Sequence, residues 1–259
     1  MSFEHVPYEQ YRYEHVRDIV EVMTSEQSTR GPQSRRERPA KAALTREGII
    51  DVALAILDDE GLGKVTMRRI AAALDTGPAS LYVYVRNTED LHAQILDALL
   101  GRMAPTPDGG SWRERLRQLL TSYAQVLFDH PAIARMTMTT HPVGPHYFSL
   151  VESVLELLDE GGVPDDGAAW AVGLLLASVT ATAVEHGGGD PIAASPSNTD
   201  DLSVLAASIA VASGETYPHI VRLGDEMLAG TGVERFNWGL DVLINGILNT
   251  PRASKQRTN

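Results

Sequence analysis

The sequence predicts an all-α fold in which a small N-terminal three-helix unit is joined to a larger helical unit. Three observations lead to this class. Apolar residues recur at spacings of three and four along most of the chain, as on one face of a helix. No stretch alternates apolar and polar residues as a half-buried strand does. Residues that cap helices, such as Thr45 and Ser111, precede several of these segments, and glycines follow several of them.

The first unit is predicted to contain short helices with tight connections. Thr45 caps the first helix, which ends at Gly61 because glycine suits the residue after a helix. The predicted helices are Thr45–Glu60, Thr66–Leu74, Pro78–Val85, and one capped by Asn87 or Thr88 that runs to about Met103. The second and third are joined only by the polar turn Asp75-Thr76-Gly77. Two short helices with such a turn form a helix-turn-helix.

The second unit is also predicted to be helical throughout. Its boundaries follow from caps, prolines and glycines in the sequence. The predicted helices are Ser111–Asp129, Pro131–Met138, His146–Glu160, Pro164–His186, Asp200–Ser213, Tyr217–Leu228 and Val233–Asn249. Between the fourth and fifth, Gly187–Thr199 is rich in Gly, Pro and Ser and is predicted to be a loop.

Composition excludes several classes of protein. The 259 residues contain no cysteine, which excludes a disulfide framework, a thiolate nucleophile and cysteine-ligated zinc. Residues Met1–Met23 carry charges throughout and lack the apolar core of a signal peptide, so we expect a cytoplasmic protein. The apolar stretch Ala168–Val184 is slightly short for a membrane span and contains hydroxyl side chains, which favours a buried helix and no membrane contact.

The net charge of −12 is unevenly distributed. Between Arg30 and Asp90 there are 10 Lys/Arg against 9 Asp/Glu, so the helix-turn-helix region is spared the acidity of the rest. A DNA duplex would repel the acidic part and accept this one. Upstream of the first helix, the predicted disordered arm contains Arg35, Arg36 and Arg38, which could reach an adjacent DNA groove. A solvated tail with no contact is the alternative.

The helix-turn-helix also has the right packing residues. Ala71 is small enough for close helix approach, and Leu74 and Leu81 can pack inside. Ser80, Tyr82 and Tyr84 are expected to present hydroxyls on the outer face of the third helix, where hydroxyls can bond phosphates or base edges.

From these residues the chain resembles the TetR family of one-component repressors. The resemblance rests on Thr45-Arg46-Glu47, Gly61, the run from Val65 to Ala71, Leu74, Ser80-Leu81-Tyr82, Val85, Asn87 and Glu89-Asp90-Leu91, and it is dense over residues 44–103. With the resemblance, the chain is predicted to have four segments: a disordered or partly helical extension with a basic arm at 1–43, a helix-turn-helix DNA-binding domain at 44–90, a ligand-binding and dimerisation domain at 91–250, and a tail at 251–259.

The resemblance also implies DNA contacts residue by residue. They are Arg68, Pro78, Ala79, Ser80, Tyr82, Val83, Tyr84 and Thr88, with a double-stranded and palindromic operator as partner. Thr88 stands where a basic residue often binds phosphate, so a weaker contact is expected there. Asp75 stands where glycine is common and must tolerate the turn. Arg69 is predicted to be a surface residue or a partner within the domain.

For the second unit, the resemblance implies a homodimer and a small-molecule effector. The helices Pro164–His186 and Val233–Asn249 are the candidates for a four-helix bundle with their twofold mates. The small residues of the first include Gly173, Ala177 and Ala181, and the apolar face of the second contains Phe236, Leu240, Leu243, Ile244, Ile247 and Leu248. The alternative is that one subunit buries both faces.

The effector candidates are apolar side chains with a few polar groups, as is usual for a small-molecule pocket. They are Tyr123, Phe128, Met136, Met138, His141, Phe148, Trp170, Glu185, His186 and Trp238. Each could instead be plain core. By the same resemblance, effector binding is expected to move the fourth helix and change the spacing of the two recognition helices.

No enzyme motif is present: the sequence has no HExxH, P-loop, GxSxG or GxGxxG opening a helix. His130, His141 and His146 are close in sequence, but their proline-rich surroundings argue against a metal site, and no cofactor is expected. A binding module with an idle helix-turn-helix and an activator with the same DNA contact are the alternatives to a repressor.

Overall fold

A computed structural model of the protein describes residues 44–105, 108–138, 142–186 and 196–251, without side chains at 186 and 196–202. The predicted basic arm with Arg35, Arg36 and Arg38, the side chains of His141 and His186, and most of the predicted tail lie outside the described residues. Within the described part, regular structure consists of α-helices and one 3-10 turn, with no strand, which confirms the all-α prediction.

The N-terminal unit has four α-helices. They are α1 (Arg46–Glu60), α2 (Met67–Ala73), α3 (Pro78–Leu81) and α4 (Thr88–Leu100), with a 3-10 turn at Leu62–Lys64. The predicted caps are confirmed: the side chains of Thr45, Thr66 and Asn87 accept hydrogen bonds from backbone N–H groups three residues ahead. Gly61 follows α1 with a φ of 81°, which glycine adopts without strain.

The C-terminal unit has seven α-helices. They are α5 (Trp112–Asp129), α6 (Pro131–Thr137), α7 (Pro145–Glu160), α8 (Asp165–His186), α9 (Pro196–Ala210), α10 (Pro218–Leu228) and α11 (Gly232–Asn249). Ser111 and Thr231 each form a complete capping box with a glutamate three residues later, which fixes the starts of α5 and α11.

Two predicted boundaries are wrong. The loop predicted to reach Thr199 ends earlier, because α9 already begins at Pro196. Proline has no N–H to donate and its φ suits the first turn, so it starts a helix as readily as it interrupts one. The third helix predicted to reach Val85 is α-helical only to Leu81 and continues as a turn over residues 82–84.

The core runs without a break from α1 into the C-terminal bundle. Helix α5 lies at its centre and packs on α7 and α8, while α4 packs on α1 on one side and on α6 and α7 on the other. Helix α4 therefore joins the two units physically, and α11 closes the bundle on α8. The main packing partner of α10 is α9.

Helix α8 is the one candidate membrane span among the described residues. By length and composition Asp165–Glu185 could cross a membrane, with 39% of its most apolar window buried. Its Leu175, Val179 and Ala183 are fully buried against the rest of the bundle, as in a core helix.

Candidate DNA interface and effector half

The turn between α2 and α3 has the left-handed residue that the sequence predicts. Asp75 has a φ of 47° and is the only described non-glycine residue with a positive φ. Asp tolerates this region better than most residues because its short polar side chain bonds locally. The amide of Thr76 donates to the carbonyl of Ala71 at 2.8 Å, which closes the turn and sets the direction of α3.

Helix α3 and the turn after it present one face outward and bury the other. Leu81 and Val85 are fully buried, and the amide of Val85 donates to the carbonyl of Leu81 at 3.0 Å, so the helical direction continues past the end of α3. The predicted contact residues on the other side are exposed. They are Pro78, Ala79, Ser80, Tyr82 and Val83.

Tyr84 is placed differently from the prediction. Its ring is half-buried against the core, and its hydroxyl donates to the carbonyl of Leu44 at 2.7 Å. The expectation that this hydroxyl faces outward is therefore wrong: at the fourth position after Ser80 the turn directs it to the start of α1. This hydrogen bond of Tyr84 connects the recognition segment, defined here as residues 78–85, to Leu44, which precedes α1.

Asp90 secures the other end of the recognition segment. Its carboxylate accepts the backbone N–H of Arg86 at 2.8 Å and the guanidinium of Arg86 at 3.2 Å, and Gln94 donates to it at 3.2 Å. Burial alone would raise the pKa of Asp90, but the hydrogen bonds and charge of Arg86, with the bond from Gln94, lower it below its ordinary value. The sequence analysis used Asp90 only as part of the motif Glu89-Asp90-Leu91 and missed this contact.

The two arginines at the start of α2 have different surroundings. Arg69 binds Glu60 of α1 through both Nε at 3.2 Å and Nη2 at 2.6 Å, which confirms the prediction of a partner within the domain. Arg68 is exposed beside it, on the solvent side of α2. Thr88, the first residue of α4, is exposed as well. Both are therefore accessible to a phosphate backbone.

The effector candidates do not form one enclosed group in the protomer. Tyr123 is buried, while Phe128 and Met136 are half-buried and pack against the core. The others that the structure describes are exposed: Met138 by 53%, Phe148 by 60%, Trp170 by 64% and Trp238 by 71%, with Glu185 exposed too. Helical periodicity identifies apolar positions, and only the packing of distant segments decides which of them face inward.

Tyr123 forms the polar centre of the bundle with Thr180. The two hydroxyls lie 3.0 Å apart, and the Thr180 hydroxyl donates its single hydrogen to the carbonyl of Leu176 at 2.8 Å. Tyr123 is therefore the donor to Thr180. Burial raises the pKa of Tyr123 to about 12, the hydrogen bond between Tyr123 and Thr180 opposes this shift, and the nearby Tyr147 adds to it.

A buried carboxylate joins α4 to the start of α7. Asp97 is 8% exposed, its Oδ1 accepts the backbone N–H of Tyr147 at 2.9 Å, and its Oδ2 lies 3.0 Å from Nδ1 of His146. A side chain at Gly144 would place its Cβ 2.2 Å from the Asp97 carboxylate, so the close approach requires glycine there. The sequence analysis missed this junction because its partners are about 50 residues apart.

His146, one of the three histidines considered for a metal, is thus the partner of Asp97. Among the residues that the structure describes, no group of three His, Asp or Glu side chains could hold a metal ion.

Helices α8 and α11 are among the bundle helices with exposed apolar residues. On α8 they follow a helical stripe through Trp170, Gly173, Leu174, Ala177 and Ala181. On α11 the apolar face predicted for dimerisation is partly covered within the protomer. Leu240 and Ile244 are buried in the protomer, Phe236, Leu243 and Ile247 are half-buried against its core, and Leu248 is 37% exposed, while Trp238 and Val242 are exposed on the remaining side.

A helix-turn-helix with an exposed recognition segment, joined through α4 to a helical bundle, defines a class of helical DNA-binding regulators. The chain belongs to the TetR family of transcriptional regulators, which confirms the resemblance. Residues 49–95 match the family described as bacterial regulatory proteins, tetR family, and residues 104–250 match the tetracyclin repressor-like C-terminal domain.

Solved structures with similar chains agree. SCO7704, described as a transcription regulator of Streptomyces, is 45% identical with a TM-score of 0.68, and the match covers 84% of this chain and 99% of that one. Apo ActR of Streptomyces coelicolor is 32% identical with a TM-score of 0.70, over 81% of this chain and 97% of that one.

Among curated relatives, the transcriptional repressor DrrR1 of Streptomyces coeruleorubidus is 27% identical over 82% of this chain and 80% of its own length. The chain matches only about half, 54%, of a helix-turn-helix regulator of Saccharopolyspora erythraea, at 30% identity.

Proposed function

We propose that this regulator binds a twofold operator as a homodimer and leaves it when a small lipophilic or antibiotic-like effector binds the C-terminal unit. The observation that carries the proposal is the recognition segment, where Leu81 and Val85 are fully buried while Tyr82 and Val83 are 54% and 79% exposed. Such an arrangement presents side chains to a major groove without loosening the domain. Arg68 and Thr88 flank the segment and are the proposed phosphate contacts. We propose that the protein acts on DNA in the cytoplasm.

The exposed apolar stripe on α8 and α11 supports the proposed dimer. Trp170, Leu174, Trp238 and Val242 are each about half exposed or more, and exposed apolar patches often mark protein interfaces. The small residues Gly173 and Ala177 between them allow a second α8 to approach closely. Since a palindromic operator has two half-sites, a twofold protein matches it.

The effector site is proposed in the bundle around Tyr123. Tyr123 is buried there with its hydroxyl 3.0 Å from that of Thr180, and Phe128 and Met136 are half-buried against the same core. Apolar surroundings with few polar groups suit a small organic ligand. The similar protein ActR has been solved in complex with actinorhodin and with (S)-DNPA. That similarity supports a small-molecule ligand here.

The experiment is fluorescence anisotropy of the full-length protein with the DNA upstream of its own gene, against a scrambled duplex, over a salt series. We expect tighter binding to the upstream DNA and a steep loss of affinity with salt, because phosphate contacts release counterions. Arg68→Ala should weaken binding and reduce the salt slope by about one. Arg222→Ala, on the exposed surface of α10, is the matched control and should change neither.

Equal and weak binding to both duplexes would direct the search to a distant site by selection from genomic DNA. If no selected DNA binds better than the scrambled one, the helix-turn-helix is idle and the proposal is wrong. An activator would pass the binding test, and a reporter gene behind the bound DNA separates activation from repression.

A further inference from the structure

The recognition segment lacks the side chains that usually read bases. Residues 78–85 contain no Arg, Lys, Asn or Gln, which are the residues that form paired hydrogen bonds with guanine or adenine edges. Of the three hydroxyl side chains in the segment, that of Tyr84 is already bonded to the carbonyl of Leu44. Direct reading of sequence by hydrogen bonds is therefore left to Ser80 and Tyr82.

What the segment presents most is apolar surface. Val83, in the turn that follows α3, is 79% exposed, and Ala79 within α3 is exposed too. The buried Leu81 and Val85 show that the domain core is complete without Val83. A valine that contributes so little to the fold, on the face that enters the groove, is placed to contact DNA instead.

We propose that Val83 reads the methyl group of thymine in the major groove. The C5-methyl of thymine is the apolar group that a base pair displays there, and aliphatic side chains are its natural partners. This inference rests on the proposed DNA contact of the recognition segment. Each half of the operator must then contain a thymine whose methyl group contacts Val83.

The test begins with a duplex selected from a random library by the full-length wild-type protein. Each thymine is then replaced singly by uracil, which keeps every hydrogen bond of the base pair and removes only the methyl. We expect one position in each half where uracil weakens binding roughly three- to fivefold, the effect of one buried methyl group. In Val83→Ala that sensitivity should vanish at the same position.

Arg68→Ala is the comparison variant. It should weaken binding to the thymine and uracil duplexes by the same factor, so that their ratio stays as in the wild type. Because Val83 is so exposed, Val83→Ala should leave the thermal unfolding midpoint unchanged, which separates a reading defect from a folding defect.

The outcomes are distinguishable. If uracil is neutral at every position, or if the sensitivity persists in Val83→Ala, the methyl inference is wrong while the proposed function stands on its salt-dependent binding. If no duplex is enriched by selection, the proposed function itself fails and this inference with it.

Discussion

The two units of the protein are stabilised differently. The DNA-binding unit has short helices, down to the four residues of α3, and it is held by polar ties such as Tyr84 to Leu44 and Asp90 to Arg86. The bundle has long helices on an apolar core that continues from the first unit, with the polar pair Tyr123–Thr180 inside it and ion pairs such as Arg117–Asp241 between its helices. The first unit is complete in one protomer, whereas the second leaves an apolar stripe uncovered. The recognition segment is therefore fixed by contacts within the protomer, whereas the proposed dimer would cover the stripe on α8 and α11.

The largest expected effect comes from a substitution in the exposed apolar stripe on α8. Leu174→Asp places a charge on the exposed face of α8 and should convert the proposed dimer into a monomer, because a buried unpaired charge is strongly unfavourable. Operator affinity should then fall roughly hundredfold or more, since two linked recognition segments bind far better than one. Sedimentation velocity and anisotropy measure the two effects.

Val211→Asp is the matched control for that substitution. Val211 is 85% exposed at the end of α9, so a charge there should leave mass and affinity unchanged. A Leu174→Asp protein that sediments like the wild type would show that α8 is not the dimer face.

This contrast also explains what the sequence could predict. Caps at Thr45, Thr66 and Ser111 and the turn at Asp75 act over three or four residues, so local spacing is enough to place α1 to α5. The burial of Tyr123 and the exposure of Phe148 depend on helices that meet from far apart in the chain. Periodicity alone does not assign those contacts, which is why the exposure of the recognition segment was predicted better than the burial of the effector candidates.

The second effect is on the junction between the units. Asp97→Ala removes the acceptor for the N–H of Tyr147 and the partner of His146, and should lower the free energy of unfolding by about 3 kcal/mol, as expected for lost hydrogen bonds to a buried charge. Asp97→Asn keeps one acceptor oxygen and should lose less. Urea denaturation measures both, with the exposed Asp159→Ala as control. Equal stability of Asp97→Ala and wild type would mean that the junction contributes nothing.

The third prediction tests whether the hydroxyl of Tyr123 or that of Thr180 is the hydrogen-bond donor. Thr180→Val leaves the buried Tyr123 hydroxyl without its acceptor and should cost about 1–3 kcal/mol of stability. Tyr123→Phe leaves Thr180 still bonded to Leu176 and should cost about 1 kcal/mol. The order of the two unfolding midpoints is the test, and the reverse order would show that Thr180 is the donor.

The smallest effect concerns pH. His130, half-buried between α5 and α6, has a pKa lowered from 6.5 by burial and by Arg102, against the charges of Asp58 and Asp129. The unfolded chain therefore binds the proton more readily, so stability falls as the pH drops through 6.5 towards the folded-state pKa. His130→Gln should reduce the loss of stability between pH 7 and about 5.5. Urea midpoints at both pH values measure it.

His219→Gln, on the exposed side of α10, is the control for the pH experiment and should keep the wild-type slope. A His130→Gln protein with an unchanged slope would assign the acid sensitivity to other groups.

The Asp97 junction also affects how much effector the proposed release from DNA would require. Movement of α4 away from α7 has to part Asp97 from the N–H of Tyr147. If hydrogen bonds to such a carboxylate contribute about 1.5–3 kcal/mol, an effector acting through this junction must prefer the released state by roughly ten- to hundredfold. A weaker junction would respond to less inducer and, for the same reason, would allow more leakage of transcription in its absence.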